Sequence, residues 1–138
     1  MIPDINIWAV LVATASTMVV GSVWYMPRVF GAWWEKAARV ENPANAVRAI
    51  VITVIVSFVS AWVLAGASAI AQEFYGGNFL VNTLVTAIIL WAGFTAARFI
   101  THDAFENRPA ALTVLNISHE LVTYVVMALI IGLFGIAG

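Results

Sequence analysis

What most limits how this chain can fold is the distribution of charge: Asp, Glu, Lys and Arg gather in a few short connections and leave long stretches bare. No charged residue occurs from Ile5 to Met26, or from Ala49 to Ala71. Runs of roughly 20 apolar residues match a hydrocarbon core about 30 Å thick. A soluble domain is roughly 45–50% apolar and 25% charged; this chain is 63% hydrophobic and 9% charged, more apolar surface than a water-facing fold can hide. No period-2 alternation appears, and backbone groups in lipid must find partners within their own segment, so the runs are read as helices.

The spans are placed at about 5–26, 45–71, 79–101 and 109–136, which makes residues 1–138 a single all-α, integral membrane four-helix bundle. Met1-Ile2-Pro3-Asp4 lacks the positive leader of a secretory signal, so the first helix is expected to be retained. Pro27 stops it, and Trp8, Trp24 and Tyr25 near its ends suit the interfacial aromatic belts. Asn42-Pro43 is expected to open the second span, Asn as cap and Pro at the first helical position. Gln72-Glu73 and Gly76-Gly77-Asn78 end it in a tight turn, and a polar link from His102 to Arg108 leads to Pro109 at the start of the fourth.

Orientation follows from the basic residues. Arg28, Lys36, Arg39 and Arg48 lie in or beside the first connection, and Arg98 and Arg108 flank the third. With four spans both connections fall on one side, which the positive-inside rule makes cytoplasmic, leaving both termini on the other face of a bacterial inner membrane. Within the first connection, at about 28–40, Phe30, Trp33, Trp34, Ala37 and Ala38 share one helical face, opposite Arg28, Glu35, Lys36 and Arg39. This segment is expected to be a short amphipathic helix anchored at the headgroups by Phe30, Trp33 and Trp34.

In lipid, helices associate through close backbone approach and hydrogen bonds between them. Ala9, Ala13, Thr17 and Gly21 form one row of small residues at four-residue spacing, and Ser57, Ala61, Ala65 and Ala69 form another; Ala128 and Gly132 add a shorter one. The two long rows are read as an intramolecular seam, with a homo-oligomer face as the alternative.

The fourth span carries the chemistry. Asn116, His119, Glu120, Thr123 and Met127 fall within roughly 100° of one helix face, and an ionisable pair there lies about 16 Å deep at 1.5 Å per residue. Such residues are costly in lipid and face a bundle interior or a wet cavity. Three readings stand: hydrogen-bonding glue between helices; a site for a proton, an ion or a small ligand; and metal or catalytic chemistry. Arg98 either snorkels to the headgroups or approaches Glu120 if the third helix runs on to Phe105. His102, Asp103 and Glu106 are read as solvated link residues that cap or pair locally.

Several classes are set aside. Without cysteine there are no disulfides or thiolate metal sites, and no HExxH or ExxH pattern offers a metal cage, so no metal site is assigned. No nucleophile–base spacing, phosphate loop or GxSxG elbow marks an enzyme. The formal net charge of -1 and the lack of a basic surface beyond the membrane flanks exclude nucleic acid as a partner.

The residues Trp24-Tyr25-Met26-Pro27-Arg28-Val29-Phe30-Gly31 with Trp34, then Asn107-Arg108-Pro109 and Asn116-Ile117-Ser118-His119-Glu120-Leu121-Val122, form a recognisable pattern. In these, and in the Asn6-Ile7-Trp8-Ala9-Val10 opening, the chain resembles the bacterial membrane family catalogued as domain of unknown function 1761. The resemblance covers nearly the whole chain and implies a four-helix membrane protein, without implying an activity, substrate or cofactor. The Trp-Tyr-x-Pro element is also similar, locally, to that of the five-span tryptophan-rich sensory or translocator proteins, which bind porphyrins and sterols. That likeness implies a tetrapyrrole or lipid as a ligand class, beside six Trp in a small chain.

Two functions lead, with a membrane-embedded enzyme third. One is a non-enzymatic accessory or assembly subunit, or a self-associating bundle, whose partners are the bilayer and other copies or a larger membrane complex. The other is a small transporter or binder of a proton, ion or small hydrophobic ligand, using Asn116, His119, Glu120, Thr123 and Arg98.

Overall fold

A computed structural model of the chain describes residues 3–40 and 45–136. Four helices in it are long and apolar enough to cross a membrane, Ile7–Trp24, Ala46–Tyr75, Phe79–Phe105 and Ala110–Phe134. The fold is an all-α four-helix bundle, and the chain is a multi-pass membrane protein.

Helix α1 (Ile7–Trp24) starts where the Asn6 side chain accepts from the backbone N–H groups of Trp8 and Ala9. A π-helical turn, Pro27–Gly31, follows and leads into the short helix α2 (Ala32–Ala38). Arg39, in the left-handed region at φ 53, ends α2, and the Val40 N–H bonds back to the Glu35 carbonyl. Asn42 and Pro43, expected to begin the second span, lie outside the described residues. Helix α3 (Ala46–Tyr75) is capped by Asn45, whose side chain accepts from the Arg48 N–H at 3.1 Å.

Gly76 and Gly77, at φ 66 and 78, make the turn that only glycine enters without strain. Asn82 reaches back across it, donating to the Gln72 side chain and to the Gly76 carbonyl at 2.8 Å. Helix α4 (Phe79–Leu90) passes through a π-helical stretch, Trp91–Ala96, into α5 (Ala97–Phe105). His102 and Asp103 therefore belong to the helix rather than to the link. Asn107, left-handed at φ 53, closes it with the Arg108 N–H bonded to the Asp103 carbonyl at 2.9 Å. Helix α6 (Ala110–Phe134) follows directly after Pro109.

The helices form a closed ring in which α1 packs on α3, α3 on α4, α4 on α6 and α6 on α1. The two halves of the ring differ. Toward the termini the core is dry and dominated by small residues, with Ala9, Ala13, Ala61, Ala65, Ala87 and Ala128 buried around Leu64, Met127 and Ile131. There α6 meets α4 so closely that a Cβ at Gly132 would lie 2.9 Å from the Leu80 Cα. Toward the basic connections every residue of α3 from Ala46 to Val56 is exposed, and α3 nowhere approaches α2 or α5. That half of the bundle is open.

Candidate functional site

The open half holds a cavity of about 710 Å³, and α6 supplies its polar wall. At α-helical spacing Asn116, His119, Glu120, Thr123 and Met127 all reach it, together with Tyr124. Glu120 stands ten residues beyond Ala110, about 15 Å along the helix and so near the middle of a bilayer core. His119 and Glu120 diverge around α6, yet the cavity is wide enough to take both side chains, 15% and 29% exposed. The His119 Nδ1 lies 3.6 Å from the Glu120 carboxylate, too far for a good hydrogen bond. Thr123 donates to the His119 backbone carbonyl at 3.0 Å, and its hydroxyl lies 3.5 Å from Nε2.

The opposite wall is built by the turn after α1. Met26 is extended, as a residue before proline prefers, and the Gly31 N–H closes the π turn on the Met26 carbonyl at 3.0 Å. A side chain at Gly31 would overlap the Tyr25 carbonyl oxygen and lie 3.0 Å from the Met26 carbonyl carbon, so the turn admits glycine alone. Held this way, Tyr25 donates its hydroxyl to the Asn116 side-chain oxygen at 2.7 Å. Its ring lies 4.9 Å from the His119 ring and 5.6 Å, edge-on, from Trp34. Trp24 packs 4.9 Å from Phe30 and 6.0 Å from His119. The imidazole is thus set between two aromatic rings, above Gly21, where a Cβ would sit 3.7 Å from Nε2.

Both polar stripe and aromatic turn fall within residues 8–132, the region matched by the family model described as a protein of unknown function (DUF1761). The chain belongs to that family. No curated protein matches it, and no solved structure matches it.

In this family member α6 is fastened to the third span by three further bonds. The Trp91 indole donates to the Ile117 carbonyl at 2.8 Å, Thr95 and Tyr124 share a bond of 2.9 Å, and Thr113 donates to the buried Asp103 carboxylate at 2.6 Å. The π-helical stretch between α4 and α5 contributes the first two. Asp103, grouped in the sequence with solvated link residues, is a structural acceptor, whereas Glu106 pairs with Arg108 at 2.7 Å in the open.

Arg98 is placed apart from Glu120. It is exposed on α5 and faces a second cavity of about 380 Å³ with His102, Asp103, Glu106 and Arg108; Asn116 and Phe99 border both cavities. Among the described residues the ion pairs are Arg108–Glu106 and His119–Glu120, so Glu120 has no Arg or Lys partner. Trp33 and Phe30 are exposed at 44% and 37%, while Trp34 turns inward against Tyr25 and borders the large cavity. The small residues Ala9, Ala13, Ser57, Ala61, Ala65 and Ala69 are buried within the bundle, and Gly21 is half-buried against His119.

Sequence reasoning missed Tyr25, Trp34, Tyr124, Thr53, Ser57 and Ser60 as cavity residues. Tyr25 and Trp34 left a trace, since both belong to the aromatic–proline element that carried the family resemblance, and Ser57 appeared only as a packing residue.

Proposed function

We propose that this protein binds a small amphipathic molecule in the large cavity, using the α6 stripe as its polar contact. The observation that carries this reading is a pocket about 710 Å³ in volume, with apolar and aromatic walls and a few convergent polar groups, the character of a small-molecule site. Structural glue needs no such space. A polar cluster serving only to join helices is consumed by bonds between them; here Asn116 bonds across to Tyr25, whereas among the described residues Glu120 accepts no hydrogen bond and the polar neighbours of His119 are Glu120 and Thr123 on its own helix.

The accessory-subunit reading carries less, because the exposed Val, Ile and Phe of the outer faces are what lipid contact alone requires. Around the cavity the rest of the reading follows. The basic connections face the cytoplasm, both termini lie on the far side of the bacterial inner membrane, and Trp33 and Phe30 anchor α2 among headgroups. The cavity then opens to the cytoplasmic leaflet. A proton or ion alone would leave most of its volume unused, so the occupant is a molecule of lipid or drug size. Transport would be a further property of the same site.

Native mass spectrometry of the protein extracted gently from its own membranes tests this. The expected result is a co-purifying small molecule that is lost from Thr53→Trp, a variant that fills the mouth at an exposed position. Retention of the same molecule by Thr53→Trp would place it on the outer surface and defeat the reading.

A further inference from the structure

The cavity combines three features that together select a kind of ligand. Its walls are apolar and aromatic, with Tyr25, Trp34, Phe99 and Tyr124 facing the interior. Apart from the His119 imidazole, its remaining polar groups are mostly hydroxyls, among them those of Thr17, Ser22, Thr53, Ser57 and Ser60, and the Asn116 amide. Its one carboxylate, Glu120, has no Arg or Lys nitrogen within salt-bridge reach among the described residues.

The groups that face Glu120 are few on every side. From α6 itself they are His119 and Tyr124; from the turn after α1, Tyr25, whose hydroxyl is committed to Asn116; α2 offers Trp34 and α5 offers Phe99, while the polar side chains of α1 and α3 in the lining are Thr and Ser alone. Arg98 points into the neighbouring cavity. An ionised carboxylate deep in a low-dielectric site needs a counter-charge, and aromatic faces attract cations through their quadrupoles. Among the described residues the one basic group beside the carboxylate is the His119 imidazole, 3.6 Å away and too far for a good hydrogen bond, so the protein supplies an acceptor without an Arg or Lys partner and an aromatic lining for a cationic guest.

Resting on the binding function above, we propose that the cavity is selective for a lipophilic organic cation, an amine or quaternary ammonium carrying hydrophobic groups, with Glu120 as counter-charge. The apolar part of such a ligand fills the space between α3 and α6, and its charge sits over Tyr25 and Trp34 beside the carboxylate. Neutral and anionic molecules of the same shape gain the apolar contact without the charge.

Tetraphenylphosphonium, tetraphenylborate and tetraphenylsilane share one shape and differ in charge, and together they test the proposal. Binding of each to the full chain in nonionic detergent is measured by calorimetry and by quenching of tryptophan fluorescence, for the wild type, Glu120→Gln and Thr53→Trp. Circular dichroism and size-exclusion profiles verify that each variant is folded. The expected result is binding of the phosphonium, weakened by about tenfold or more in Glu120→Gln, a loss of ~1.4 kcal/mol or greater, with the other two probes indifferent to that change.

Equal binding of all three probes, unchanged in Glu120→Gln but abolished in Thr53→Trp, would overturn the cation selectivity and leave the binding cavity standing. Stronger binding of the borate would also overturn it, as would a phosphonium affinity that Glu120→Gln leaves intact. No binding of any probe to the folded wild type would remove both this inference and the reading beneath it.

Discussion

Gly31→Ala ought to damage the protein far more than a methyl group normally does at a helical position. The added Cβ would overlap the Tyr25 carbonyl oxygen and sit 2.9 Å from its carbon. Those atoms are backbone in a tight turn, with no flexible side chain to yield. The turn must open, which breaks the Gly31–Met26 hydrogen bond and pulls Tyr25 away from Asn116 and His119. Two hydrogen bonds at about 1 kcal/mol each and an aromatic contact worth roughly 1 kcal/mol give a loss near 3 kcal/mol. Alanine's better helix propensity returns about 1 kcal/mol, so a net loss of ~2 kcal/mol is expected. Gly93→Ala is the internal control, because a Cβ there meets nothing within 4 Å and the same propensity gain stands unopposed. Equilibrium unfolding in mixed micelles, read by tryptophan fluorescence, measures both. If Gly31→Ala matches or exceeds the stability of Gly93→Ala, the turn does not hold Tyr25 in place and the account of the aromatic wall is wrong.

Thr113→Val should cost about 1–3 kcal/mol by leaving the buried Asp103 carboxylate without its hydroxyl donor, and Asp103→Asn in the same background should recover part of the loss in the same unfolding assay. Ala65→Leu, at a position 5% exposed in the dry half, should destabilise by roughly 1–3 kcal/mol through overpacking, whereas Ile55→Leu, at 59% exposure on the open part of α3, should leave the midpoint unchanged. Asn78→Ala removes the side-chain cap on the Val81 N–H and should lower stability by about 1 kcal/mol, seen as earlier exchange of the first amides of α4. A phosphatase fusion at the C-terminus should be active and a fluorescent-protein fusion dark if that end lies outside the cytoplasm.

The four helices were legible because a charge cannot be hidden in hydrocarbon, so the bare stretches and the polar turns announced themselves. The Gly76-Gly77-Asn78 turn was legible for a similar reason, since few residues enter left-handed backbone. The stripe at Asn116, His119, Glu120 and Thr123 followed from helical period alone. What it faces did not, because the space beside it exists only where α3 leans away from α5, and Ala46 to Val56 read as an ordinary span. Tyr25 and Asn116 are 91 positions apart, and local pattern says nothing about a pairing at that range. Trp34 sits among residues that suit a headgroup anchor, and its inward turn depends on where Tyr25 has already been fixed. Asp103 looked solvated because its burial is conferred by the start of α6, which folds back over it.

The three bonds that lash the third span to α6 leave the bundle with one stiff jaw and one loose one. The stiff jaw, carrying the carboxylate and the imidazole, keeps its chemistry in a fixed place. The loose jaw is the bare opening of α3, tied to its neighbours only beyond the bilayer centre. On the proposed binding function, a guest's girth would be accommodated on one side and its charge judged on the other, so tolerance for size and strictness about charge would coexist in the same small chain.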